Sequence, residues 1–178
     1  MASKKTSMFT LTERVTITAQ DTATFATIDL GSYVDVGDRQ ALQVHSVDFI
    51  FQGTTATELF PIATMGGSGN VIVQVTDLNR GGLVFCDDRA LVASGVLQYD
   101  TDGGSDIVTD LYPDNYGKGS DDGRFVVNDA LYISALCNPL DTVNNKECNV
   151  TVRVNASIVS LTAKDFMAIA IQSTAADN

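Results

Sequence analysis

From Cys148 to Leu161 the chain reads Cys-Asn-Val-Thr-Val-Arg-Val-Asn-Ala-Ser-Ile-Val-Ser-Leu, with Val150, Val152, Val154, Ala156 and Ile158 separated by Asn149, Thr151, Arg153, Asn155 and Ser157. Successive side chains of an extended strand point to opposite faces, so this is one strand with an apolar inner face and a polar outer face. At Ile158-Val159 the phase changes, and Val159 and Leu161 become the apolar positions. A β-bulge is the least costly way to change it. The stretch points to a β-sandwich.

Other segments repeat the pattern. Glu13–Gln20 alternates through Val15, Ile17 and Ala19, and Ala23–Leu30 carries Phe25, Ile28 and Leu30 among threonines and β-branched residues. Ala41–Gln52 is a long strand whose faces both turn apolar toward its end, at Val47, Phe49, Ile50 and Phe51. A strand covered on both sides, by a sandwich centre or a subunit contact, shows this pattern. Val71–Leu78, Leu83–Cys86, Leu91–Tyr99 and Arg124–Cys137 continue the series, the last with a kink predicted at Asn128-Asp129. Phe166–Gln172 places Phe166, Ala168 and Ala170 on one face and Met167, Ile169 and Ile171 on the other. A doubly covered strand is the preferred assignment there, and a helix from Thr162 is the alternative.

The segment Asp100–Gly123 differs in kind. It holds Asp100, Asp102, Asp106, Asp110, Asp114, Asp121 and Asp122 with Lys118 as its one cation, and it is expected to be a long surface excursion with a short strand or helical turn inside. Roughly eight to ten evenly spaced strands, with no long amphipathic helix and no internal repeat, predict an all-β antiparallel sandwich or closed barrel.

The chain has 178 residues, enough for one domain with a full core. The expected division is an N-terminal arm over 1–12, a β-sandwich domain over 13–172 and a polar tail over 173–178. A net charge of -11 argues against direct nucleic-acid binding, which needs a basic face or arm, and Lys4-Lys5 is the only basic cluster. No apolar run follows the basic start as in a secretory signal, and none is long enough to span a bilayer.

Candidate chemistry is sparse, and nothing reads as an active site. His45, the only histidine, lies within a strand with no nucleophile elbow around any serine, so it is expected to be a hydrogen-bonded or interface residue. Asp100-Thr-Asp-Gly-Gly-Ser-Asp106 resembles part of a calcium loop, with Asp100, Asp102 and Asp106 as oxygen ligands, but it lacks the closing glutamate and flanking helices of an EF-hand. A solvated acidic loop is the other assignment. Cys86 is expected to be a buried thiol. Cys137 ends one strand and Cys148 begins the next, and a disulfide would join them if those strands pair as a hairpin and bring the Cβ atoms to bridging distance. Asn149-Val-Thr and Asn155-Ala-Ser match the glycosylation acceptor pattern on the polar face of their strand. Sugar-cleaving sandwiches normally bring aromatic platforms, and this chain has no Trp.

With these strands, doubly apolar segments at Phe49–Phe51 and Phe166–Ile171 and long inserted loops, the region Glu13–Gln172 resembles a single jelly-roll viral capsid protein. In shape it is similar to the small upright-roll coat proteins of icosahedral, membrane-containing archaeal and bacterial viruses. The resemblance implies a non-enzymatic structural protein that self-assembles into a symmetric shell, a major capsid protein of the virion assembled in the host cytoplasm. Its partners would be copies of itself and a second capsid protein. Phe49, Phe51, Met167, Ile169 and Ile171 are the expected interface residues. A departure is the missing basic arm, which implies a genome shielded by another layer. The competing class is a cation- or carbohydrate-binding sandwich module that uses the acidic loop 100–123, with Ca2+ as its ion.

Overall fold

The computed structural model describes residues 3–55, 58–60, 68–100, 105–112, 123–138 and 146–174, with the backbone alone described at 60, 105–112 and 172–174. The described elements are β1 (Ser3–Lys4), β2 (Phe9–Ile17), β3 (Thr24–Asp29), β4 (Gln40–Thr54), β5 (Leu59–Phe60), β6 (Ser68–Thr76), β7 (Leu91–Asp100), β8 (Ser105–Tyr112), β9 (Arg124–Val126), β10 (Ala130–Asn138), β11 (Glu147–Ser160) and α1 (Ala163–Thr174).

The strands form two antiparallel sheets. In the first, β2, β11, β4 and β9 lie side by side in that order, with β1 pairing the end of β11 and β5 the far end of β4. The second has the order β3-β10-β6-β7-β8. Except in the runs β1–β2, β4–β5 and β6–β7–β8, successive strands alternate between the sheets, which is the wrapped connectivity of a jelly roll. The kink predicted at Asn128-Asp129 is one of these crossings, since β9 lies in the first sheet and β10 in the second.

The alternating strand predicted from Cys148 is β11. It is held on one edge by β2 and along its whole length by β4 on the other. Val150, Val152, Val154 and Ala156 are fully buried and meet Val71, Val73, Val75, Leu131 and Ile133 of the second sheet in one core. The predicted bulge at Ile158-Val159 is corrected. The register shifts at Asn155/Ala156, where Asn155 faces Ser46 and Ala156 faces Val44, so the extra residue is His45 of β4. The apolar positions change face on β11 because the cover changes. Val159 and Leu161, with Ala41 and Val127, are buried in a second cluster against Phe166, and Ile169 and Ala170 pack on it.

Those last three residues belong to α1, so the preferred strand over Phe166–Gln172 is also corrected. Thr162 caps the helix: its carbonyl accepts from the Phe166 N–H at 2.9 Å, and its Oγ1 accepts from the Asp165 N–H at 3.2 Å. Phe166, Ile169 and Ala170 stand at helical spacing on one face, which a strand would split between two. A further expectation fails. Leu83–Cys86 is a loop, and Cys86 is exposed, because this stretch crosses over the second sheet and does not enter it. Ser3–Lys4 and the strand from Phe9 lie in the first sheet, and α1 runs through Thr174.

The β6–β7 connection is held down by polar contacts. Gln74 is buried on the outer face of β6, and its amide donates to the Val84 carbonyl at 2.8 Å and accepts from the Val84 N–H at 2.7 Å. At its base Arg124 donates to Asp77 Oδ2 at 2.9 Å, to the Leu91 carbonyl at 2.7 Å and to the Arg89 carbonyl. Arg80 pairs with Asp88 at 3.2 Å. Burial pushes the Asp77 carboxyl above its ordinary value against the pull of the Arg124 guanidinium, and its Oδ1 has no hydrogen-bond partner among the described residues.

Gly95 of β7 shows why a strand interior can require glycine. A Cβ there would lie 2.7 Å from Cδ2 of Phe49, whose ring packs against it from the facing sheet. Gly95→Ala should therefore lower stability by about 1–3 kcal/mol in urea unfolding, and Phe49→Leu should recover part of that loss in the double variant. Equal losses with and without Phe49→Leu would disprove the contact as the cause.

Arg124→Met should cost about 3–5 kcal/mol at neutral pH by leaving Asp77 buried with its main counter-ion gone. Because the folded Asp77 value is raised, its stabilising contribution is complete below the unfolded value of 3.8 and is lost as pH rises through the folded value. Without Arg124 that folded value climbs further, so the deficit of the variant should widen from acid toward neutral pH. Denaturant midpoints across that range check it.

Candidate assembly surface

The alternation of β4 sends Val47, Phe49 and Phe51 inward and leaves Ile50 outside, 39% exposed. Phe49 and Phe51 are half-buried and pack on the main core. They are core-facing, and Ile50 is the solvent-side residue of that run. Ile169 is also half-buried, on the sheet-facing side of α1. Met167 and Ile171 behave differently. One helical turn apart, they are 58% and 60% exposed and form an apolar stripe on the side of α1 away from the sheet.

Two exposed phenylalanines lie over the opposite outer face and were not anticipated. Phe25 of β3 is 54% exposed, and the register places it in one row with Ser134 and Gln74 across the second sheet. Gln74 carries Val84, and the next residue, Phe85, is 87% exposed. The signal for Phe85 was present as the run Leu83-Val84-Phe85-Cys86, but an apolar run reads as strand until its hydrogen-bond partners are known.

Apart from Ile50, the part of the first sheet not covered by α1 turns a polar face outward around Asn149 and Asn155. Thr10 donates to Asn155 Oδ1 at 2.8 Å, and Asn155 Nδ2 donates to Ser46 Oγ at 2.9 Å and to Asp48 at 3.2 Å. Thr16 donates to Asn149 Oδ1 at 2.7 Å, and Asn149 Nδ2 donates to Thr54 Oγ1 at 2.8 Å. Each asparagine thus links β2, β11 and β4. The amide nitrogens that glycosylation would use are committed inside the sheet, and Asn149 is buried.

Of the predicted cation ligands, the side chain of Asp100 alone is described. Asp100 faces Ser105 at the end of the β7–β8 hairpin and accepts from Ser68 Oγ at 2.6 Å. Asp102 lies outside the described residues, and Asp106 is placed by its backbone opposite Tyr99. Among the described residues no cluster of three metal-ligating side chains occurs. His45 Nε2 shares a 2.9 Å hydrogen bond with Ser157 Oγ, which donates to Gln43 Oε1 at 3.5 Å. Burial, and then the positive charge of Lys4, push His45 below its ordinary value. Ser157 is fully buried, so this pair seals the bulge and presents no nucleophile. Cys137 and Cys148 do not sit on a hairpin, since β10 and β11 belong to opposite sheets, yet both thiols reach the same core. No described helix is long and apolar enough to cross a membrane.

No protein-family model matches the chain, and no curated protein is similar to it in sequence. Among solved structures it is similar to the unassembled pentamer of Merkel cell polyomavirus VP1, at 8% identity over 90% of this chain and 99% of that one, with a TM-score of 0.45. It is likewise similar to VP1 of trichodysplasia spinulosa-associated polyomavirus in complex with GM1 oligosaccharide, at 9% identity over 89% and 97%, with a TM-score of 0.40. The jelly-roll assignment stands on the strand order of this chain alone.

Proposed function

We propose that this chain is a coat subunit, a structural protein whose copies build the shell of a virion by covering one another's apolar patches. The observation that supports this most is the placement of two unlike patches on opposite outer faces, Met167 and Ile171 on α1 and Phe25 and Phe85 over the second sheet. Exposed apolar clusters framed by polar surface mark interaction sites. Patches that differ in shape and lie on opposite faces favour head-to-tail contacts between copies, and such contacts close into rings or shells when the rotation permits. A major capsid protein assembled in the host cytoplasm, with a second coat protein completing the lattice, fits this arrangement. A kinship to the upright rolls of membrane-containing archaeal and bacterial viruses belongs to the same proposal. With a net charge of -11 the subunits repel one another, so apolar contacts are the favourable term, and screening by salt strengthens association.

Light scattering and electron microscopy of the purified chain test the proposal. Multimers or closed particles that grow as ionic strength rises are expected. Met167→Asp with Ile171→Asp should weaken association by about tenfold or more, while the unfolding midpoint of the subunit stays near that of the parent because both side chains face solvent. A monomer at every salt and protein concentration would overturn the proposal. A monomer that gains thermal stability with calcium or a glycan would replace it with a binding module centred on the loop 100–123.

A further inference from the structure

We propose that Cys137 and Cys148 are a built redox site, an oxidisable thiol pair that forms a disulfide between the two sheets of the sandwich. Cys137 stands near the end of β10 in the second sheet and Cys148 near the start of β11 in the first. Both are fully buried. Their backbones are fixed by pairing on each side, Cys137 opposite Val71 and Cys148 between Ile17 and Gly53. The Cys137 carbonyl also accepts from the Asp21 N–H at 3.2 Å. The two thiols point into one core and lie within hydrogen-bonding reach of each other, with the buried hydroxyl of Tyr99 3.8 Å from Cys137 Sγ. Disulfides between facing sheets are a recurring solution in sandwich domains, where one bond ties the layers together.

The electrostatics divide the roles. A hydrogen bond from the Cys148 thiol, joined by one from Tyr99, holds Cys137 below the ordinary thiol value against its burial, while the same hydrogen bond and burial push Cys148 up. The lowered value favours Cys137 as the first of the two to ionise and react, with Cys148 resolving it. With hydrogen peroxide as the oxidant, the Cys137 thiolate attacks the O–O bond and becomes a sulfenic acid as hydroxide leaves. The Cys148 sulfur then attacks Cys137 Sγ, its proton leaves with the sulfenic oxygen as water, and the S–S bond forms. Two thiols and one peroxide give one disulfide and two waters. The exposed Cys86 is not part of the pair.

The test is made on the full chain, first reduced, then treated with peroxide either as the folded protein or during refolding from urea. Thiols are then blocked with N-ethylmaleimide under denaturing conditions and located by peptide mass mapping. The expected product has lost two hydrogens, carries a Cys137–Cys148 cross-linked peptide and takes maleimide at Cys86 alone. Its urea midpoint is raised, and dithiothreitol reverses the rise. Cys86→Ser should leave product and midpoint shift unchanged, and Cys148→Ala should abolish both. Separate maleimide labelling of Cys137 and Cys148 after both oxidation routes, or cross-links running only through Cys86, would overturn the proposal.

Discussion

The pairing of β11 with β4 along the whole of β11 is the constraint on which the rest of the molecule depends. Two long neighbouring strands present two continuous faces, and each face needs cover along its full length. The inner face is met by the second sheet, through Val150, Val152 and Val154 on one side and Val71, Val73 and Val75 on the other. The outer face has two solutions. Over one half, Thr, Asn and Ser side chains bond to one another across β2, β11 and β4 and remain compatible with water. Over the other half, Ala41, Val159 and Leu161 lie under α1. The bulge at His45 falls near the boundary between the two, and the His45–Ser157–Gln43 hydrogen bonds fill the space where polar cover gives way to helix.

Covering the outer face with a helix leaves a residue of apolar surface one layer further out. A single face of α1 is enough to bury Ala41 and Val159, and Met167 and Ile171 stay exposed to solvent on α1. On the second sheet the β6–β7 connection plays the corresponding part. Gln74 and Arg124 hold it against the sheet and the adjoining strand ends, and Phe85 is left at the surface. Both outer layers therefore present apolar residues on backbone that is itself pinned, the rigid presentation that packing between copies requires.

The sandwich was legible because its signal is local. A period of two in apolar and polar residues names the strand and its inner face whatever the strand pairs with, and β2, β3, β4, β6, β10 and β11 all carry it. The doubly apolar segments carried less information than they seemed to. At Phe49–Phe51 the alternation sends both phenylalanines inward, and at Phe166–Ile171 the same residues gain a helical face once Thr162 supplies a cap. The cysteine pair was visible as two residues flanking a polar connection, but the assumed hairpin was the wrong geometry. The thiols approach each other across the sandwich, because the chain changes sheet between them.

What the sequence determined by itself was the class of structure, the identity of the long strands and the residues lining their inner faces, since each follows from neighbours one or two positions away. Only the tertiary structure decided which sheet each strand joins, that the final apolar segment coils as a helix over the first sheet, and that Phe25 and Phe85 reach solvent while Cys137 meets Cys148. Those outcomes depend on which distant segment covers which face. A one-dimensional pattern records that a side chain is apolar, and packing decides what lies against it.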